Sequence, residues 1–520
     1  MKPKKVIIFM ILFLFNFLFN LMAQSNADSG EDFIWGTEGH VFISDYSSIP
    51  VEKKNIVNQI NDVLGIKYVK MRILLPMNND LSSDMCIQRN AYYTAADPAC
   101  RDPQAIRFSF DETAKLFKEN AWSMIPMFSH ASAPRQDIPI NRNHIERFVD
   151  FVDWFVEKYG KLCNIKLIEL VNAPYHTWNG TERQLLELQN KTYERIKNKY
   201  PDLKIGTPGF EYYRDTKEKI RGTDQHRFRN YFLENDAKFD FWAFHGYPTL
   251  GDLNRFDYYP PTKKAKYDKY SGIDGIIELR KTLDRKGWQG REIIDMENTG
   301  VLGNGSLFNM DDDKLDAAYM VQQLVLKRSL KVNGKRVLSG IISQKILPRC
   351  ERPPRDQVPE RKPPRPRRGA FNPRDRSPQN MNPPDINQPS MWSGECAWGS
   401  LYPDGSTTIS VKAVGMLISN LSNLVHVVRV SGEFDDDNTV WIEKFKGKSR
   451  ELYICFKPFA YRQGQRPELG VSTIPYRINF SNMPSNVDIL DIYGNKTKVA
   501  PAMVIQHSVG NAPQFVIAQF

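Results

Sequence analysis

The chain has 520 residues, 41% hydrophobic and 25% charged, which excludes a largely disordered or collagen-like protein and leaves room for about two to four domains. Its net charge of +11 suggests nucleic acid until it is located. Lys2, Lys4 and Lys5 carry three charges, and Arg349–Arg376 sets ten Arg or Lys against Glu351, Asp356, Glu360 and Asp375, six more, so only two remain for the rest and no nucleic-acid partner is expected. The 12% aromatic content suits a sugar-stacking cleft and an aromatic-rich core equally.

At the N-terminus, Met1-Lys2-Pro3-Lys4-Lys5 precedes an apolar run from Val6 to Met22, the basic and hydrophobic regions of a secretory signal. Residues 1–23 are read as that signal, with Ala23 at the cut, and 24–32 as a polar linker. The expected location is secreted or periplasmic, with an uncleaved membrane anchor as the alternative. In an exported chain cysteines pair. Cys86 and Cys100 bracket a short loop, and Cys350 and Cys396 bracket the basic segment, so these two disulfides are expected, while Cys163 and Cys455 beside predicted strands read as buried thiols. Closing a loop of about 45 residues is worth roughly 3–4 kcal/mol in the chain-entropy treatment. No Cys or His spacing suits zinc, and neither metal nor cofactor is expected.

From Phe33 to Ile346, short apolar runs alternate with helix-period segments. The predicted strands are Phe33–Thr37, Tyr68–Leu74, Trp122–Phe128, Ile165–Val171, Leu203–Thr207, Phe239–Phe244, Glu292–Met296 and Leu338–Ser343. Ile145, Phe148, Val149, Val152, Phe155 and Val156 mark one face of a helix. Near-continuous apolar strands alternating with helices predict a parallel sheet covered on both faces, and eight such units predict a (β/α)8 barrel over 33–424. A doubly wound sheet is the alternative, though no GxGxxG turn follows the first strand.

The segment 348–390 interrupts this pattern with twelve of the 33 prolines and the arginine cluster, and cannot bury enough apolar surface to order itself. It reads as a surface loop, or as a contact for an anionic glycan or surface through 349–376. Val411–Leu424 then supplies a last helix. Over 425–520, short alternating strands between turns, such as Glu451–Phe456 and Val487–Ile492, predict a β-sandwich.

In a parallel barrel the chemistry sits where the strands end. Those ends present Glu38 and His40, Arg72, His130, Asn172 through Trp178, His245 with Tyr247, Glu297, and Gln344-Lys345. Singly, each has a plainer reading: His40 as a structural histidine, Arg72 as an ion-pair partner. Together they describe a polar and aromatic cleft.

Ile168-Glu169-Leu170-Val171-Asn172-Ala173-Pro174 resembles the fourth strand of the clan A retaining glycoside hydrolases, which ends in Asn-Glu-Pro with Glu as acid/base. Ile293–Glu297 resembles their seventh strand, ending in the nucleophile, and Phe239–Pro248 their sixth, with its His and Tyr. Lys70-Met71-Arg72 is similar to the second strand with its bracing Arg, and Asp491–Asn495 with Pro513–Val516 to the β-sandwich of family 39 and relatives. The resemblance implies a carbohydrate substrate with β-xylosidic or related linkages. It also implies Glu297 as nucleophile kept ionised by Arg72, Asn172 bonding the sugar 2-hydroxyl, and His245 and Tyr247 near the nucleophile, while His176, Trp178, Glu38 and His40 are expected at the cleft from their places at the strand ends. The departure is Ala173, where the acid/base Glu belongs. Retention uses two carboxyl groups about 5–5.5 Å apart, and losing general acid catalysis costs about 10²–10⁴-fold. Glu169 lies four residues back, roughly 13 Å deeper at about 3.3 Å per residue; Glu38, Glu211 and His176 are the other candidates. The expectation is a glycosidase with an altered acid/base; the alternatives are a silent glycan-binding barrel and a purely structural envelope protein.

Overall fold

The computed structural model describes residues 33–39, 53–75, 110–130, 142–174, 178, 180–211, 227–246, 273–298, 313–348, 399–401, 406–432, 439–458, 469 and 472–520. Its first part is the (β/α)8 barrel. The staves are β1 Ile34–Glu38, β2 Tyr68–Leu75, β3 Ser123–His130 and β4 Leu167–Leu170; then β5 Lys204–Ile205 and β6 Phe210–Glu211, which form one broken stave; then β7 Phe241–His245 and β8 Glu292–Asn298. After a small hairpin of β9 Lys331–Val332 and β10 Lys335–Arg336 comes β11 Gly340–Pro348, which pairs in parallel with β8 on one side and β1 on the other. Parallel bridges Asn172↔Gly209 and Gly206↔Phe241 carry the wall across the broken stave.

The helices are α1 Lys53–Asn58, continuing as a π-helical turn over Gln59–Leu64, then α2 Phe110–Glu119, α3 Arg142–Tyr159, α4 Glu182–Lys199, α5 Arg227–Glu234, α6 Ile273–Arg285, α7 Asp313–Ser329 and α8 Ile409–Leu421. The apolar stripe from Ile145 to Val156 is the buried face of α3. Thr181 and Gln184 close a reciprocal cap at the start of α4.

Strand alternation separates two cores. Ile125, Leu167, Phe241, Ala243, Ile294, Met296 and Ile342 fill the barrel interior with Ile34 and Tyr68 packed against them. Their strand neighbours Met124, Ile168, Trp242, Ile293 and Ile341 face the helices in a larger outer core. β8 runs two residues beyond its predicted end because Glu297 and Asn298, though polar, are buried in the barrel wall.

β12 Gly399–Leu401 pairs in parallel with β11, Lys345 opposite Gly399, so the chain departs from and rejoins the same edge around the basic segment. That segment, its cysteines Cys350 and Cys396, the pair Cys86 and Cys100, and residues 1–32 lie outside the described residues. Cys163 and Cys455 are buried free thiols, and burial pushes the Cys163 thiol up to about 12. Among the described residues, no helix is long and apolar enough to cross a membrane.

The C-terminal part has two antiparallel sheets. One joins β13 Val425–Ser431, β14 Trp441–Lys446, β15 Arg450–Phe456, β17 Asn486–Asp491, β18 Lys496–Val499 and β20 Gln514–Gln519 in the order β13-β14-β15-β20-β17-β18. The other pairs β16 Ile474–Asn479 with β19 Val504–Val509. Val440, Ile442, Tyr453, Cys455, Val487, Val516 and Ala518 of the larger sheet meet Tyr476, Ile478, Ile505 and Val509 of the smaller. Its opposite face sets Trp441, Phe445, Leu452, Ile454, Phe456 and Phe515 into the outer core of the barrel. Gln322 of α7 fastens that junction, donating to the carbonyls of Lys457 and Asn511.

Candidate functional site

The lumen of the barrel is apolar at its base and charged above. Glu38, Lys70, Glu169, His245 and Glu297 are all buried there. For most of them, period-2 alternation is the cause. Tyr68 points into the lumen, so Lys70 does too; Leu167 brings Glu169 inward, and Phe241 and Ala243 bring His245.

Glu297 needs a different device. Ile294 and Met296 already face the lumen, so strict alternation sends residue 297 outward. Instead the register slips by one. Phe244 pairs with Asp295 but His245 pairs with Glu297, while on the other side Ile341 pairs with Asp295 and Ser343 with Asn298. This bulge places two successive side chains on the inner face and aims the Glu297 carboxylate at His245.

Lys70 Nζ lies at the centre of three carboxylates: 3.0 Å from Glu169 Oε2, 3.7 Å from Glu38 Oε1 and 4.0 Å from Glu297 Oε2. It also donates to the Met296 carbonyl at 2.9 Å, which pins the bulge. His245 bridges two of the same acids, Nδ1 standing 3.2 Å from Glu297 Oε2 and Nε2 3.4 Å from Glu169 Oε1. Burial by itself disfavours the charged form of both side chains. For Lys70 the attraction of Glu169, Glu38 and Glu297 outweighs it and lifts the ammonium above its ordinary pKa. For His245, Glu297 and then Glu169 outweigh burial and raise the imidazole above its ordinary value. Lys70 and His245 thus flank Glu297, and each favours its charged form more than the free side chain does. Among the described residues no group of three or more His, Cys, Asp or Glu is arranged to hold a metal ion; the ammonium of Lys70 fills the centre of the carboxylates.

Glu169 is closer to Glu297 than its strand position suggested. Its Oε2 and that of Glu297 lie 3.0 and 4.0 Å from one ammonium, and so are at most about 7 Å apart. Counting residues back from Ala173 measured depth along one strand only. The strands of a barrel are tilted and staggered, so a residue low on β4 faces residues of β2 and β7 across the lumen. Glu169 is nonetheless fully buried and engaged by Lys70 and His245. It belongs to the floor beneath Glu297.

The end of β4 is strained. Val171 (φ +56°) and Ala173 (φ +40°) are both left-handed, the region in which a β-branched residue is a real outlier. Val171 N–H donates to the Phe128 carbonyl at 2.7 Å and its own carbonyl accepts from Gly209 N–H at 3.1 Å, while Asn172 bridges to Gly209. Gly209 must lack a side chain, because a Cβ there would come closer than 3.0 Å to His245 Nε2 and Glu169 Oε1. The turn that carries residue 173 is therefore fully built, and the residue it carries is a buried methyl group.

Arg72 lies on β2 two residues after Lys70, but its side chain lies outside the described residues, as do the side chains of His130 and Glu211 and the whole of His40, His176 and Tyr247. Asn172 is buried at the end of β4. The indole of Trp178 is buried in the outer core and donates to the Thr181 carbonyl at 3.1 Å. Spacing along the strands does not single out Lys70, and it sets Glu169 out of reach. A lysine between Val69 and Met71 in an apolar strand was the available signal, since only a partnered charge persists at such a position.

No family model matches this sequence, and no curated relative matches it either. Solved structures share the fold. A family 39 glycoside hydrolase from the gut symbiont Bacteroides cellulosilyticus WH2 superposes with a TM-score of 0.58 at 12% identity, covering 94% of this chain and 82% of that one. A glucosidase from Croceicoccus marinus gives 0.58 at 11% identity over 95% and 97%. A GH30 endoxylanase from Clostridium papyrosolvens C71 gives 0.52 at 12% over 95% and 98%.

Proposed function

We propose that this chain is an exported glycoside hydrolase-like protein acting on a β-linked glycan, with Glu297 as the nucleophile of a retaining-type reaction and no carboxylate at the acid/base position. The observation that carries the reading is Glu297 itself: a carboxylate turned into the lumen by a bulge at the end of β8, held between Lys70 and His245. The shared fold supports a carbohydrate as the ligand. The basic and apolar segments at Lys2–Met22 support export.

In this mechanism a Glu297 oxygen attacks the anomeric carbon, and the bond to the leaving group breaks with its electron pair going to the departing oxygen. Lys70 and His245 hold the carboxylate in its charged, attacking form. Ala173 donates no proton, so the departing group leaves as an anion and must be intrinsically stable. Water then meets a glycosyl-enzyme with no carboxylate base at residue 173. A small anion that needs no deprotonation, such as azide, attacks instead and returns Glu297 as a free carboxylate.

The test uses dinitrophenyl β-glycosides, the xyloside first. The expected result is release of about one equivalent of phenolate, a mass increase on Glu297, slow turnover, and renewed turnover with azide giving the β-glycosyl azide. Ala173→Glu should raise hydrolysis of unactivated glycosides by at least about 10²-fold. Brisk hydrolysis of unactivated glycan by the unaltered chain would mean that another group supplies the proton, with Glu38 and His176 the first to replace. Glycan binding without any labelling of Glu297 would overturn the enzyme reading in favour of a lectin-like barrel, the reading that the methyl group at 173 favours.

A further inference from the structure

A second buried charge cluster lies behind the first, on the helix-facing side of β8. Asp295 and Lys327 of α7 form an ion pair of 2.6 Å in which both side chains are 0% exposed. Between them they grip Gly246, the residue after His245. Its N–H donates to Asp295 Oδ1 at 2.9 Å and lies 3.0 Å from the Glu297 carbonyl, and its carbonyl accepts from Lys327 Nζ at 2.8 Å. Both peptide groups flanking the Gly246 Cα are therefore fixed. The packing requires glycine, because a Cβ at 246 would stand 2.6 Å from Lys327 Nζ and closer still to Asp295 Oδ2.

Net stability is a weak reason for such a pair. Dehydrating two charges is so unfavourable that apolar replacements of similar volume are often neutral or stabilising. Burial pushes the Asp295 carboxyl up and the Lys327 ammonium down, which is the strain such a pair carries. What the pair adds is direction. Asp295 lies two residues before Glu297 across the bulge, and Gly246 directly follows the histidine that touches Glu297. We propose that Asp295 and Lys327 are positioning residues, a clamp on Gly246 that sets the His245 imidazole against Glu297. Neither contacts a substrate. They act through the backbone of β7 and β8.

Only the kinetic consequence rests on Glu297 being a nucleophile; the titration of His245 does not. Two double variants, each removing one anion and one cation, leave the net charge unchanged. Asp295→Leu with Lys327→Met abolishes the clamp. Asp295→Asn with Lys327→Gln keeps an acceptor for the Gly246 N–H and a donor for its carbonyl. In ¹⁵N-histidine spectra, with His245 assigned through its loss in His245→Gln, the apolar pair should move the imidazole titration down toward the ordinary histidine value. Labelling of Glu297 by an activated 2-fluoro β-glycoside should then slow by about 10²-fold, the cost of roughly 1 Å of misplacement. The amide pair should retain the titration. An unchanged His245 titration in a folded apolar variant overturns the proposal. If that variant does not fold, Asp295→Asn with Lys327→Met removes the donor to the Gly246 carbonyl alone, and the same downward shift is required. A shifted His245 without labelling of Glu297 in any form of the protein leaves the clamp standing and removes the hydrolase reading.

Discussion

Lys70→Met isolates what the lumen charge cluster requires. The substitution keeps most of the volume of the side chain, one atom shorter, and removes the ammonium shared by Glu38, Glu169 and Glu297. At an effective dielectric of about 20, unit charges 3–4 Å apart attract by about 4–6 kcal/mol each, most of it cancelled by the dehydration of the ions. The loss on removing one partner of a buried pair is about 3–5 kcal/mol, because the remaining charge is left uncompensated. The variant escapes part of that loss by protonation. Its carboxyl groups, deprived of the cation, bind protons in the folded state at pH values where the unfolded chain binds none, so its stability falls as pH rises through that window. The deficit relative to the unaltered protein should therefore be about 3–5 kcal/mol near pH 7.5 and shrink on acidification toward pH 5. Urea titrations at both pH values, followed by tryptophan fluorescence and far-UV circular dichroism, read it directly. A deficit below about 1 kcal/mol at pH 7.5, or one that widens on acidification, would refute the idea that Lys70 neutralises a buried acid cluster.

His245 should itself confer a pH dependence of opposite origin: its folded pKa is raised, so its contribution is fully present below the ordinary 6.5 and is lost as pH climbs through the folded value. Glu297, Glu169 and Lys70 are the charged groups facing it, with Asp295 behind, and His245→Gln should flatten the melting temperature against pH above the ordinary 6.5. Ala173→Gly should be neutral or up to about 1 kcal/mol stabilising, since glycine occupies φ +40° without the Cβ penalty, whereas in ordinary backbone the same change loses about 1 kcal/mol; calorimetry separates the two. Gly209→Ala should destabilise by about 1–3 kcal/mol and pull His245 off Glu169, while Gly290→Ala, with open space at its Cβ, should leave the melting temperature unchanged.

The barrel was legible because each stave is apolar on both faces and each helix on one, and these periodicities survive without any relative to align. The sandwich was legible as alternation, and β16 carries it too: Pro475, Arg477 and Asn479 are exposed, while Ile474, Tyr476 and Ile478 line its inner side. At the site, Glu297 and His245 could be read from strand ends. What could not be read was the bulge at Met296, because an inserted residue leaves no compositional trace, and with it the reason Glu297 faces inward at all. Lys70 and Glu169 were hidden for a related reason. Sequence distance along one strand says nothing about which residues of other strands share its level, and that level is set by the shear of the closed barrel.

The larger C-terminal sheet, with one face on the barrel helices and the other on the β16–β19 pair, bears on how such a protein can be inherited. Residues such as Trp441, Phe445 and Phe515 take part in the same apolar cluster as the barrel helices. A gene fragment encoding the barrel alone would lay that surface open to water, and one encoding the sandwich alone would expose the matching face of its sheet. Recombination that parts the chain between α8 and β13 should therefore yield two insoluble halves. The two segments should then be inherited as a single unit, with the apolar seam between them kept intact.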